Sequence, residues 1–324
     1  MTTRPYRTSI PPEILALSHE RDLLRRRGQY QRADELKKLI EDAGYAVKDN
    51  PHGAHLVTLP GVDVDGKTYR MARELPSLLD EADTCTFSVI VLAQNSADRV
   101  RRCIQSVLRF ADASDIELLL VDNASQDSID LWAEALKYQE PRLHILRATR
   151  TMGVAEAYNM ALKQSHGRYI LLLDSSSELT GDIFTPLEQT LANKEVGITG
   201  FHGLRTEDLR HFIECEQEEK AEVIDSQCMA FRRNLLKKAG LFDERYRYPH
   251  YMDIDFNLAI RDAGAEAAVT PDLPLMYHPG EQNEQIADAE RARLAKRNFY
   301  RFLEKWGDRE DLLPEEDEEE DEEE

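Results

Sequence analysis

From Phe87 onward, unbroken apolar runs alternate with segments whose apolar residues recur every three or four positions. FSVIVLA, IELLLVD, RLHILRA and RYILLLD have the length and texture of strands buried on both faces. DRVRRCIQSVLRFA, LWAEALKYQ and GVAEAYNMALKQS carry helical spacing. Strands of this kind separated by helices predict an α/β fold with a mostly parallel sheet flanked by helices. Ligands of such sheets lie outside the carboxyl ends of the strands. The polar clusters QNSAD, DNASQD and DSSSE all fall at those ends.

The flanks read differently. Ile14, Leu15, Leu17, Leu23 and Leu24 share one face of a first helix, RRRGQY breaks it, and Ala33, Leu36, Leu39 and Ile40 line a second. Gly44 stands where a C-cap residue belongs, and YAVKDNPHGAHLV then reads as a β-hairpin turning at Asn-Pro-His-Gly. The spacing predicts a helical hairpin module at 1–59, a linker at 60–84 with a short helix in RELPSLLDEA, and a main domain at 85–307. That domain closes on a helix near EQIADAERARLAKRNFYRFLEKWG, and an acidic tail at 308–324 follows. The last ten residues are all acids with nothing apolar to bury, so a disordered tail is expected.

Those ten acids supply ten of the 21 net negative charges, and the remaining −11 argues against broad adhesion to nucleic acid or anionic membrane. Cys85, Cys103, Cys215 and Cys228 show neither paired CxxC nor metal-ligand spacing. The N-terminus lacks an apolar leader core, and no run is long enough to span a bilayer. A cytoplasmic protein without a transmembrane segment is expected.

FSVIVLAQN, LLLVDNASQD, GVAEAYNMAL, GRYILLLDSSSEL, GLFDERYRYPHYMDIDF and VTPDLPLMYHPG occur in that order over 87–280. Together they resemble a family-2 glycosyltransferase of the Rossmann-like GT-A fold, rhamnosyltransferase-like in branch. The resemblance implies transfer of a sugar from a nucleotide-diphosphate donor to a hydroxyl acceptor with inversion. It places Asp122 against the nucleotide, with Asn95, Ser125 and Asp127 nearby, and Gly153, Asn159 and Asp174 as further donor-site positions. An aspartate at a strand end can accept an imide N–H, and it can equally cap the following helix. Asn159 also reads as a buried hydrogen-bonding residue.

The resemblance further implies a divalent metal, Mn or Mg, held by Asp174 and by His278 of YHPG. Ser176 replaces the usual carboxylate there, and a hydroxyl is a weaker ligand. Glu178 is a partial substitute; without metal, arginines such as Arg150 or Arg205 would have to meet the diphosphate charge. In Tyr-Met-Asp-Ile-Asp, Asp253 matches the general base and Asp255 is second choice, as base or as brace. Both also suit a helix N-terminus on electrostatic grounds. Asp243 matches a residue that shapes the acceptor loop.

Residues 1–59 resemble the small C-terminal module of cysteinyl-tRNA synthetases, implying a docking surface for protein or tRNA. Arg21, Arg25, Arg26, Arg27 and Arg32 are the phosphate-contact candidates, although ten Lys/Arg stand against eight Asp/Glu there. Three departures from the transferase pattern, Ser176 for Asp, Thr151 for Asn and Met252 for Glu, keep a second class of function open. That class is a degenerate domain used for nucleotide-sugar binding or scaffolding, and a third is an RNA-associated protein.

Overall fold

A computed structural model describes residues 10–50, 53–59, 61–111, 115–215, 220–246, 248–278 and 288–313. The acid run at 315–324 and the beginning of the expected closing helix lie outside the described residues.

The N-terminal module is two helices, α1 (Pro12–Arg26) and α2 (Tyr30–Asp42), followed by a hairpin of β1 (Tyr45–Asn50) and β2 (Gly53–Thr58). Ile14, Ile40 and Leu56 form its small core. Gly44 ends α2 at φ +88°, a left-handed conformation that favours glycine. Arg21 is buried, and its guanidinium grips both carboxylate oxygens of Asp49 at 2.7 and 2.9 Å. That fork–fork pair fastens α1 to the hairpin, so Arg21 is withdrawn from the set of exposed phosphate contacts.

The stretch expected to link the two parts contributes strands instead. β3 (Val62–Val64) and β4 (Lys67–Tyr69) form a hairpin, and β3 joins the main sheet. The helix expected in RELPSLLDEA reduces to a single 3-10 turn, Ala72–Glu74. Pro76 cannot continue a helix, and the Leu78 N–H donates instead to the Lys163 carbonyl at 2.7 Å.

The main domain runs β5 (Cys85–Ala93), α3 (Ala97–Phe110), β6 (Ile116–Asp122), α4 (Ile129–Lys137), β7 (Leu143–Ala148), α5 (Val154–Gln164) and β8 (Gly167–Leu173). Next come β9 (Ser177–Leu179), α6 (Phe184–Ala192), β10 (Val196–Gly200), β11 (Gly203–Arg205), β12 (Ile213–Glu214), β13 (Lys220–Ala221), β14 (Val223–Ile224) and β15 (Cys228–Arg232). The chain continues through α7 (Leu236–Ala239), α8 (Met252–Asp262), β16 (Glu266–Val269), β17 (Leu275–Tyr277) and α9 (Asp288–Trp306).

The ten-stranded sheet has the order β13-β16-β10-β15-β8-β5-β6-β7-β3-β4. Its centre, β8-β5-β6-β7, is parallel, whereas β15 runs antiparallel to both β8 and β10. The sheet is therefore mixed, with a second parallel pair, β10 and β16, beyond the antiparallel β15. Side chains from α3, α4 and α6 pack one face, and those from α5 and α8 the other. At Gly167 an added Cβ would stand 2.3 Å from the Ser88 amide, so only glycine permits β8 to start so close to β5. Finally, α9 lays Phe302 and Trp306 against Leu258 of α8.

Candidate active site at the carboxyl ends of the strands

Asp122 ends β6 and Asp174 follows β8, with β5 between them in register. Two strand spacings, about 10 Å, therefore separate the two acids along one edge of the sheet.

On the first side, two loops interlock. The Asp122 Oδ1 accepts the Ser125 N–H at 2.8 Å, and its Oδ2 lies 3.4 Å from Arg147 Nε. Asn95 Oδ1 accepts from the Gln126 N–H at 2.8 Å, and the Asn95 N–H donates to Ser125 Oγ at 3.2 Å. Asp127 Oδ2 accepts the Ala97 N–H at 2.6 Å. The structure thus brings Asn95, Asp122, Ser125 and Asp127 together. Much of their polar capacity goes into shaping the loops, with Asn95 and Ala124 held at left-handed φ of 53° and 58°. Asp122 keeps lone pairs beyond those it spends here, within a side chain that is almost wholly enclosed.

Asn123 is a positioning residue that motif reading passed over. Its amide accepts from the Met152 N–H at 2.9 Å and donates to the Met152 carbonyl at 3.1 Å, pinning the loop before α5. Gly153 caps that helix in ordinary extended backbone. Asn159 points elsewhere: it is buried and bonds both the N–H and carbonyl of Phe242 at 3.0 and 2.9 Å. It anchors the GLFDER loop, the hydrogen-bonding role open to it from sequence.

On the second side, Asp174 turns back on its own loop and accepts the Ser176 N–H at 2.7 Å. The Ser176 carbonyl accepts from the His278 N–H at 2.9 Å, and β9 pairs with β17 so that Tyr277 faces Ser177. His278 Nε2 lies 2.6 Å from Glu178 Oε2, and Arg102 Nε lies 3.6 Å from the same oxygen. Burial first, and the charge of Asp174 second, raise the Tyr277 hydroxyl.

Asp225, in the loop before β15, links this side to Asp253. Burial raises the Asp225 carboxyl, and Asp174 adds to it. Asp253, at the start of α8, is pushed up to about 6 by burial first and by the Asp225 charge second. Tyr158 of α5, raised by burial, feels both Asp174 and Asp253. Asp225 and Asp253 therefore lie close enough for the charge of one to disfavour ionisation of the other. The Ile254 N–H at 3.0 Å and the Ser226 hydroxyl steady the Asp253 carboxylate. Protein surrounds its carboxyl group, while the residue as a whole keeps partial access to a cavity of about 410 Å³ walled by Phe212, Ser226, Tyr248 and Tyr251. Tyr251 holds φ 66° to start α8 beneath it.

Asp255 faces away. Its carboxylate is buried and accepts from Trp306 Nε1 at 2.8 Å and from Lys305 Nζ at 3.0 Å. That is a brace between α8 and α9. Met252, in the position of a family acid, is buried in the core. Asp243 pairs with Arg245 beside a separate cleft that also takes in Arg150.

A divalent ion fits these donors poorly. Ser176 offers a neutral oxygen, and Glu178 and His278 occupy one another. Among the described residues no group of three His, Cys, Asp or Glu side chains is placed to hold a metal.

Residues 88–234 match the family described as Glycosyl transferase family 2. Glycosyltransferase GlyG of Streptococcus pneumoniae is 27% identical over 111 residues, 34% of this chain and 36% of that protein. Succinoglycan biosynthesis protein ExoO of Rhizobium meliloti is 26% identical over 226 residues, 63% of each. An Escherichia coli protein, the UDP-Glc:alpha-D-GlcNAc-diphosphoundecaprenol beta-1,3-glucosyltransferase WfaP, is 34% identical over 88 residues, 27% of this chain and 34% of its own length. The chain thus spans less than two thirds of each of these relatives. Among solved structures, GalNAc-T7 with UDP, GalNAc and Mn2+ superposes with a TM-score of 0.58 at 14% identity, covering 70% of this chain and 50% of that one. The mannosyltransferase PcManGT of Pyrobaculum calidifontis, in complex with GDP-Man and Mn2+, gives 0.55 at 20% identity, covering 71% and 66%. The fold is GT-A, a mixed sheet flanked by helices.

Proposed function

We propose that this protein is an inverting glycosyltransferase that takes a sugar from a nucleotide diphosphate and places it on a hydroxyl acceptor. The match to Glycosyl transferase family 2 and the names of its relatives support sugar transfer. The single observation that carries the mechanism is Asp253: a carboxyl group enclosed by protein, with its proton affinity raised to about 6, on a residue that lines a cavity at the ligand edge of the sheet.

The acceptor hydroxyl enters between Tyr248, Tyr251 and Phe212, whose faces suit the apolar side of a sugar ring. Asp253 accepts the hydroxyl proton as oxygen attacks the anomeric carbon from the side opposite the leaving group. The nucleotide diphosphate departs with the bonding electrons. A base with a pKa near 6 is ionised at neutral pH yet more basic than an ordinary aspartate, which suits this step. Asp122, Asn95 and Ser125 are assigned to the nucleotide, and Asp174 to the donor sugar or diphosphate. No helix among the described residues is long and apolar enough to cross a membrane. The rhamnosyltransferase-like resemblance belongs with this reading and does not fix the donor sugar.

A calorimetric screen of nucleotide sugars should find one donor bound in the micromolar range and slowly hydrolysed or transferred. Absence of binding to every donor overturns the reading. Binding without turnover favours the second reading, a nucleotide-sugar-binding protein, for which Ser176 and Met252 speak.

The synthetase-like module we assign to docking on a protein partner. With Arg21 locked on Asp49, the phosphate-contact candidates left exposed are Arg25, Arg26, Arg27 and Arg32, which with Lys38 and Lys48 are matched by the exposed acids Glu13, Glu20, Asp34, Glu35, Asp42 and Asp49. The full chain should therefore show no salt-sensitive shift of tRNA at low ionic strength. A shift that fades as salt rises would establish RNA association instead.

A further inference from the structure

We propose that nucleotide diphosphates bind this protein without a divalent cation, their charge being met by the guanidinium groups of Arg99 and Arg102 on α3. This rests on the donor reading above and adds to it how the leaving group is held.

Part of the coordinating capacity at the metal position is already engaged. Asp174 accepts from the Ser176 amide at 2.7 Å with one oxygen, and Glu178 and His278 meet at 2.6 Å. To enter, an ion would have to break the Glu178–His278 contact and would gain one further carboxylate and a hydroxyl. Divalent cations of the Mg or Mn type prefer several anionic oxygens, so the exchange is unfavourable.

Cationic groups flank the same spot. Arg102 approaches Glu178 Oε2 at 3.6 Å, and its Nε is buried without a hydrogen-bond partner among the described residues. Arg99, one helical turn earlier on α3, lines a cavity of about 370 Å³ together with Asn95, Ser96 and Asp127, the loops assigned to the nucleotide. Residues three apart on a helix share a face. Two guanidinium groups bring the two positive charges that one divalent ion would bring, in a geometry that donates hydrogen bonds to phosphate oxygens. Neither residue carries a motif that sequence reading connects with the diphosphate.

The test is calorimetry of the full chain with UDP, GDP, ADP and dTDP, in EDTA and in Mn2+. The preferred nucleotide should bind with affinities that differ by less than about threefold between the two buffers. Arg99→Ala with Arg102→Ala should weaken the diphosphate by about 10- to 100-fold while changing the parent nucleoside far less. Ser176→Asp should introduce a metal dependence that the natural chain lacks. Binding that requires Mn2+ overturns the proposal and leaves the donor reading standing, as does a double variant that binds like the natural chain. If neither nucleotides nor nucleotide sugars bind in either buffer, the donor reading itself falls, and this proposal with it.

Discussion

Asp253→Asn is expected to lower the transfer rate by about 10²- to 10⁴-fold, the range for loss of a general base, and at the same time to raise the melting temperature at neutral pH. The two effects have one cause. Burial and the charge of Asp225 raise the folded-state value of Asp253 from 3.8 to about 6. A carboxyl raised on folding stabilises the native state below its unfolded value, and that contribution disappears as pH climbs through the folded value. Between about pH 4 and 6 this group therefore makes stability fall as pH rises, and above 6 the buried anion costs on the order of 2–3 kcal/mol. Asparagine cannot ionise, so the variant should gain on the natural chain at pH 7 and converge with it near pH 4. Thermal melts across that range check the stability half. The rate should rise with pH through about 6 in the natural chain, and this limb should be missing from the residual activity of the variant. A simple folding defect would lower the melting temperature instead.

Asp255→Ala should cost about 2–4 kcal/mol of stability, because it leaves a buried indole N–H and the Lys305 ammonium without their shared acceptor. Asp255 is the polar tie between α8 and α9, reinforced by Phe302 and Trp306 packing on Leu258. Trp306→Phe, which deletes the N–H and keeps most of the ring, should cost nearer 1 kcal/mol. Denaturant unfolding separates the two. Equal and negligible effects would show that α9 is held by its apolar contacts alone.

These two aspartates stand two residues apart, and sequence alone ranked them only by alignment. On a helix such neighbours point to different sides, so their fates are set by what packs on each side. For Asp255 that is α9, whose Lys305 and Trp306 lie 50 and 51 residues further along the chain. The same limit explains Asp225 and Ser226, which carry no motif of their own. They reach Asp253 because β15 inserts antiparallel between β8 and β10, a pairing that the short run CMAFR does not announce. The β3–β4 hairpin carried a signal of its own, since Asp65-Gly66 in VDVDGKTY suits a two-residue turn with both residues at positive φ, 51° and 86°, but its place in the main sheet comes only from pairing with β7.

What could be read directly was the centre. The strands β5, β6, β7 and β8 are continuous apolar runs because both of their faces are covered, and Asp122 and Asp174 mark the strand ends where a parallel sheet takes its ligands. Ser176 was visible as a departure, but its consequence was not. Only the strand pairing of β9 with β17 reveals that Glu178 and His278 close on each other there.

Time-resolved proton NMR of the full chain with its preferred nucleotide sugar tests the assigned chemistry most directly. The anomeric signal of the donor should decay, and the first sugar released to water or to an added acceptor should carry the opposite anomeric configuration, with Asp253→Asn slowing both. A donor that binds and stays intact, or a first product that keeps the donor's configuration, would contradict an inverting transferase with Asp253 as its base.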